Sequence, residues 1–316
     1  MWRRYASALR VVVRSYRRER RAFSSSESAV RHEPVHLLRL NVPILEQLRI
    51  EEALLRADLT RNWCIINRAP VLKSSTTGLP SGAIILGISG KVQRLCHVRN
   101  VIEDGVQLIR RFSGGGTVFV DHDTSFVTFI CNASARPNVA SFPKPIMDWS
   151  GQFYSGVFPV ATQFQLLQND YCFGTRKFGG NAQAITRQRW AHHTSFLWQY
   201  SPANLLRYLQ MPDRVPEYRQ GRDHDSFVTN MADHYSGADR AVFEDAVVSQ
   251  LSRWFTAVHI VQYPHDIAPI LEREHDKRTV VISHESVLAE ALLDPTHATT
   301  GIPAASVATA TAVGEI

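Results

Sequence analysis

Two glycine-marked segments carry the residues best suited to chemistry. In the first, Arg110-Arg111-Phe112-Ser113-Gly114-Gly115-Gly116-Thr117-Val118-Phe119-Val120-Asp121, a dibasic step runs into three glycines and then into a strand-like run. Glycine lacks Cβ and tolerates φ > 0, so successive bare amides there can form an anion-binding nest. Arg110 or Arg111 can add a planar cation suited to phosphate or carboxylate. A glycine-rich hairpin turn is the competing reading. The second segment, Arg176-Lys177-Phe178-Gly179-Gly180-Asn181-Ala182-Gln183-Ala184, sets a lysine beside another glycine pair, and His192-His193-Thr194 follows in the next apolar run.

These segments need a scaffold, and the hydrophobic periods describe one. After Pro43, residues Ile44, Leu45, Leu48, Leu54 and Leu55 follow a helical pattern over 44–57. Cys64-Ile65-Ile66 and Ile84-Ile85-Leu86 read as short buried strands, separated by a flexible loop through Ser74-Ser75-Thr76-Thr77-Gly78 and Pro80-Ser81-Gly82. Residues 116–121 and 125–131 read as strands paired around the Asp121-His122-Asp123-Thr124 turn. A strand near Tyr171-Cys172-Phe173 turns at Gly174-Thr175-Arg176 into the lysine segment, residues 181–187 and 192–198 suit a hairpin, and residues 242–255 suit an amphipathic helix. Hairpins with a few covering helices give an α+β class with a mixed, largely antiparallel sheet. The Ala/Thr/Gly-rich stretch beyond about 290 is expected to be disordered.

Charge narrows the function. The chain of 316 residues has a net charge of +6, yet residues 1–23 alone hold eight arginines and one acid, Glu19, which leaves the rest close to neutral. Such a body has no global field for nucleic acid. Trp2, Tyr5, Leu9, Val12, Val13 and Tyr16 share helical spacing among those arginines, and Ser24-Ser25-Ser26 follows. This basic amphipathic stretch reads as a mitochondrial transit peptide over 1–23, placing the protein in the matrix. The expected layout continues with a catalytic domain over 24–262 and a partly disordered extension over 263–316. No run of about 18 apolar residues suits a membrane span. Four scattered cysteines, Cys64, Cys96, Cys131 and Cys172, lack metal-ligand spacing and are expected to be reduced and mostly buried.

Taken together, RRFSGGGTVFVD, RKFGGNAQ and HHTSFLW resemble the lipoate-protein ligase and lipoyltransferase family of the biotin/lipoate ligase superfamily, over roughly residues 40–260. The resemblance implies an α+β catalytic domain in which the Ser-Gly-Gly-Gly segment lines an acyl and adenylate tunnel. It also implies that Lys177 is the catalytic lysine, acting electrostatically on the acyl carbonyl. Adenylate contacts would fall to Arg111, Ser113, Gly114, Gly115, Gly116, Gly180, Asn181, Ala182 and His193, with Asp121 a candidate Mg²⁺ ligand and otherwise a turn cap. The substrates implied are lipoate or octanoate, with ATP or preformed lipoyl-AMP. The implied acceptors are lipoyl domains of 2-oxoacid dehydrogenase complexes and the glycine cleavage H protein. The chain departs from many members at Val120, where they carry histidine, at Asn181, where they carry a small hydroxyl residue, and at Ala184, where many bacterial ligases have arginine. Arg187 and Arg189 are the substitutes on the same hairpin.

Two alternatives remain at the level of sequence. Cys172 raises an octanoyltransferase route through a thioester, although its apolar run suits a buried thiol better. A non-catalytic module that binds acyl carriers is the other. The Gly-Arg-Gly-Arg loop typical of the biotin branch is missing.

Overall fold

The computed structural model describes residues 33–69, 82–136, 138–211, 215–235 and 239–293. The expected transit peptide, most of the loop expected through residues 74–82 and the Ala/Thr/Gly-rich stretch beyond 293 lie outside the described residues. Eight strands form the large sheet in the order β11-β1-β2-β6-β10-β9-β8-β7, and four form a smaller one in the order β12-β4-β3-β5. The large-sheet strands are β1 (Val35–Leu40), β2 (Trp63–Arg68), β6 (Thr124–Asn132), β7 (Phe164–Leu167), β8 (Asp170–Phe173), β9 (Arg176–Ile185), β10 (Arg189–Leu197) and β11 (Val258–Val261). The small sheet holds β3 (Ala83–Leu86), β4 (Gln107–Arg110), β5 (Val118–Val120) and β12 (Val280–Ile282). β1 pairs in parallel with β2 and β11, and β3 with β4; all other pairs are antiparallel. The class is α+β with mixed, largely antiparallel sheets.

The helix expected after Pro43 spans Ile44–Ala57. It lies between the two sheets, so it has almost no solvent face. Ile50, Leu54 and Leu55 pack on Leu38, Trp63, Ile65 and Ile130 of the large sheet, while Ile44 and Leu48 meet Ala83, Ile85 and Ile109 of the small one. The opposite face of the large sheet is covered by the helices Pro143–Ser155 and Arg240–Trp254, around Phe129, Trp149, Phe153, Trp190, Phe196 and Phe243. The outer face of the small sheet, Ile84, Leu86 and Phe119, is closed by Val101, Tyr208 and Val287.

Two expectations change. Residues 116–121 and 125–131 are not partners: β5 pairs with β3 in the small sheet, whereas β6 pairs with β2 and β10 in the large one. The four-residue turn between them is a crossing point between sheets. Hairpin and crossing look alike in sequence because both need only a tight turn between apolar runs. The chain past 262 also contributes to the packed body. β12 pairs antiparallel with β4, and Glu52 of the central helix accepts the amides of Arg278 and Thr279 at 2.9 Å each.

Candidate active site

β9 and β10 form one antiparallel hairpin in which His193 faces Ala182 and Ser195 faces Gly180. Directly opposed residues share a face, so Gly180, Ala182, His193 and Ser195 all lie on the side of the central helix. Simple alternation would put Lys177 on the other side. A β-bulge prevents this: Tyr171 pairs with Gly179 and Cys172 with Lys177, so Phe178 is the extra residue. Phe178 turns into the aromatic core beside Phe173 and Phe196, and Lys177 joins the face of Gly180. A Cβ on Gly180 would stand 3.8 Å from Lys177 Nζ. At Gly179 a Cβ would press on Phe196 at 2.9 Å, so that glycine serves packing.

The first glycine segment lands on the same face. The amide of Gly114 donates to the Gln183 carbonyl at 3.1 Å. Gly115 has φ +96°, and a Cβ there would meet Arg111 Nη2 at 2.8 Å and Ala182 Cβ at 3.0 Å. Gly115 therefore lies against Ala182, two residues along β9 from Gly180, a separation of about 7 Å on one strand face. Among the described residues, the amides of Gly115 and Gly116 donate to no acceptor.

Arg111 is the cause of that arrangement. It is buried, and its guanidinium donates to the carbonyls of Gly114 and Gly116 at 2.7 Å each through Nη2, to Ile85 O at 3.3 Å through Nη1, and to Ser113 Oγ at 3.0 Å through Nε. Burial pushes it down to about 10, still charged at neutral pH. The sequence reading made it a cation for phosphate. Instead it draws the loop carbonyls inward, which leaves the glycine amides for an anion. Arg110 acts likewise, donating to Gly90 O at 2.6 Å. Gly87 was missed by sequence reasoning: a Cβ there would overlap the Gly115 carbonyl oxygen. Its signal was a glycine at the end of the Ile84-Ile85-Leu86 strand.

Lys177 Nζ is paired with Asp170 Oδ1 at 2.7 Å, and Tyr218 Oη donates to Asp170 Oδ2 at 2.8 Å. Asp170 thus aims the ammonium. Of the remaining expected residues, Ser113 and His193 touch at 2.8 Å between Oγ and Nε2. Asn181, by register, faces away from Lys177, and its amide donates to Asn169 O. Asp121 caps its own turn, accepting from the Asp123 amide at 3.0 Å, and burial raises its carboxyl. Val120 is buried in β5, and Ala184 packs beneath the central helix. Arg189 is buried, with Nη2 donating to Arg61 O at 3.0 Å, and so offers no free cation; Arg187 is exposed at the hairpin turn. Cys172 stands opposite Lys177 but is fully buried, and burial pushes its thiol up to about 11.

The family model of the lipoyl protein ligase A/B catalytic domain matches residues 80–252. The chain belongs to this family. A Plasmodium falciparum protein named inactive lipoate–protein ligase 2 is 26% identical over 232 residues, 60% of each chain. Lipoate-protein ligase A of Blochmanniella floridana is 32% identical over 130 residues, 41% of this chain and 37% of the relative. The matches thus span 60% and 37% of those relatives' own length, in each case under two thirds. Among solved structures, protein Ta0514 from T. acidophilum with bound lipoic acid superposes with a TM-score of 0.56 at 14% identity, covering 76% of this chain and 93% of that one. Lipoate-protein ligase A bound with ATP gives 0.57 at 14% identity, covering 76% and 92%. The bipartite T. acidophilum lipoate protein ligase with its E2 lipoyl domain gives 0.54 at 14% identity, covering 76% and 91%. At these identities the likeness is one of fold. The matched residues include both glycine segments and the whole β9–β10 hairpin.

Proposed function

We propose that the protein transfers lipoate from lipoyl-AMP to a lysine of a lipoyl carrier domain in the mitochondrial matrix. The observation that carries this reading is that Lys177 and the loop of Gly115 and Gly116, whose amides donate to no acceptor among the described residues, sit over the same face of β9, Lys177 beside Gly180 and Gly115 against Ala182, positions about 7 Å apart along the strand. An acyl-phosphate anhydride presents a phosphate and a carbonyl at neighbouring atoms. The amides suit the phosphate, and the Lys177 ammonium suits the charge that develops on the carbonyl oxygen. Thr117 Oγ1, buried and without a partner among the described residues, adds one more polar atom beside the loop. The acceptor amine attacks the carbonyl carbon, the anhydride bond to phosphate breaks, and AMP departs. Neutral Cys172 gives no ready thiolate for a thioester route.

ATP-dependent adenylation would use the same cradle, and the proteins of this fold with bound ATP and lipoic acid support that wider reading. The residues present do not fit a protein-built Mg²⁺ site. Among the described residues no three His, Cys, Asp or Glu side chains converge, and Asp121 is committed to its turn. No step is assigned to the ion. Matrix placement and the acceptors, lipoyl domains of 2-oxoacid dehydrogenase complexes and the glycine cleavage H protein, rest on the N-terminal segment and the family.

The test is incubation of the protein with apo lipoyl domain and, separately, lipoate plus ATP and Mg²⁺, lipoyl-AMP, or octanoyl carrier protein, followed by intact mass. Lipoylation from lipoyl-AMP that Lys177→Ala abolishes is the expected result. No product from any donor would favour a carrier-binding module without catalysis, and product from octanoyl carrier alone, lost on Cys172→Ser, would favour the thioester route.

A further inference from the structure

The central helix carries a buried carboxylate that the proposed transfer does not use. Glu51 is fully buried, and all its partners are donors: Gln47 Nε2 and Thr128 Oγ1 reach Oε1 at 2.7 Å each, and His193 Nδ1 reaches Oε2 at 2.9 Å. A carboxylate surrounded in this way fixes the imidazole. Nδ1 carries the hydrogen toward Glu51, so Nε2 accepts from the Ser113 hydroxyl at 2.8 Å. The Ser113 oxygen in turn accepts from Arg111 Nε, and the other arm of the same guanidinium holds the carbonyls of Gly114 and Gly116. A continuous chain of hydrogen bonds thus runs from the helix between the sheets to the glycine loop.

We infer that His193, its ring oriented by Glu51, is a positioning residue that sets the glycine amides through Ser113 and Arg111, an inference that rests on reading the loop as the phosphate cradle. None of the chain meets substrate directly: Glu51 is 0% exposed, Ser113 1% and His193 9%. The order Ser-His-Glu resembles a nucleophilic triad, but Ser113 is enclosed and its oxygen already accepts from a buried guanidinium. It has no path to an acyl carbon. A network that merely satisfied Glu51 would end at His193. This one continues into the one side chain that shapes the loop, and the register of β10 brings His193 opposite Ala182, the residue on which Gly115 rests.

The two ends of the imidazole can be separated. In His193→Asn the amide occupies the Nδ1 position and keeps the Glu51 contact while losing Ser113. In His193→Gln the amide reaches the Nε2 position and keeps Ser113 while losing Glu51. With lipoyl-AMP as donor, the Asn variant and Ser113→Ala are expected to raise the KM for lipoyl-AMP by about tenfold with the KM for the lipoyl domain unmoved, and the Gln variant by less than about threefold. Hydrogen exchange of free protein gives a second readout, because the amides of Ile88, Arg111 and Gly114 are tied within or across the loop. Peptides covering 84–118 should exchange faster in the Asn than in the Gln variant. If the native protein neither binds nor transfers lipoyl-AMP, the functional reading fails while the exchange comparison still decides the relay. An Asn variant equal to or better than the Gln variant in exchange overturns the inference, and Ser113→Ala with native exchange does so even where a His193 variant fails to fold.

Discussion

His192 and His193 are neighbours on β10, yet they serve opposite faces of the large sheet. His192 points into the aromatic layer, where it is fully buried. Gln183 Nε2 donates to its Nδ1 at 3.2 Å, its Nε2 then faces Tyr171 Oη at 2.9 Å, and Tyr171 meets Ser150 Oγ at 2.6 Å. That chain closes on the Met147 carbonyl and reaches no ligand surface. Burial, with the adjacent His193, holds the imidazole down to about 3, so it stays neutral. On the other face the polar chain through His193 ends on a glycine loop with free amides, beside a lysine. Packing organises the first face and backbone presentation organises the second. The same strand thus separates a packed aromatic face from the face of the candidate site by its two-residue period.

Substitutions on each side can break this contrast. On the aromatic face, Phe153, enclosed by Phe129 at 4.9 Å between ring centres and by Trp149, should be the costliest to truncate. Phe153→Ala is expected to lower unfolding free energy by about 3–5 kcal/mol in urea melts, with transfer per folded molecule retained. Lys177→Ala should do the reverse, reducing transfer from lipoyl-AMP by about 10²–10³-fold with little change in Tm, the loss seen on removing one preorganised donor. Full transfer by that variant would remove the lysine from the site. Gly115→Ala must strain a φ of +96° and press on Arg111 and Ala182, for about 1–3 kcal/mol, and should weaken lipoyl-AMP binding more than carrier binding in calorimetry.

The histidines give a pH test. His192 binds its proton at pH 6.5 when unfolded but only near 3 when folded, so the unfolded state gains protons first as pH falls. Its contribution to stability is present above 6.5 and is lost toward 3, at up to about 1.4 kcal/mol per pH unit. Denaturation curves of His192→Asn should lack that component; an unchanged slope between pH 6.5 and 4 would show that His192 is not held neutral. The smallest effect is expected for Cys172→Ser, with transfer within about threefold of native, since a buried neutral thiol opposite Lys177 has no part in the step.

Much of the fold was legible because it depends on local periods. The helix over 44–57 was marked by Pro43 and its apolar spacing, and the strands at 64–66, 84–86 and 171–173 by short β-branched or aromatic runs. The hairpin of β9 and β10 was found, although the lysine segment proved continuous with it. The assignment of β5 and β6 to different sheets was not legible, because strand partners are chosen by nonlocal packing. At the site, the glycines and Lys177 stood out by composition. Gly87 did not, and Glu51 was concealed in a helical pattern where a glutamate reads as a solvated face.

The sequence by itself determined which residues are rare enough to signal chemistry: bare glycines, a lysine beside them, paired arginines and paired histidines. It also determined the α+β class, since the periods of two and 3.6 are properties of the local chain. Tertiary structure alone decided what those residues do. Residue 178 bulges out and turns Lys177 onto the glycine face. Arg111 reverses its expected role, because burial leaves a guanidinium seeking acceptors and the nearest are the loop's own carbonyls. Glu51, 63 residues before the glycine run in sequence, reaches it only because its helix lies between two sheets. Direction and partnership are set by what the rest of the chain brings alongside, and no local pattern encodes that.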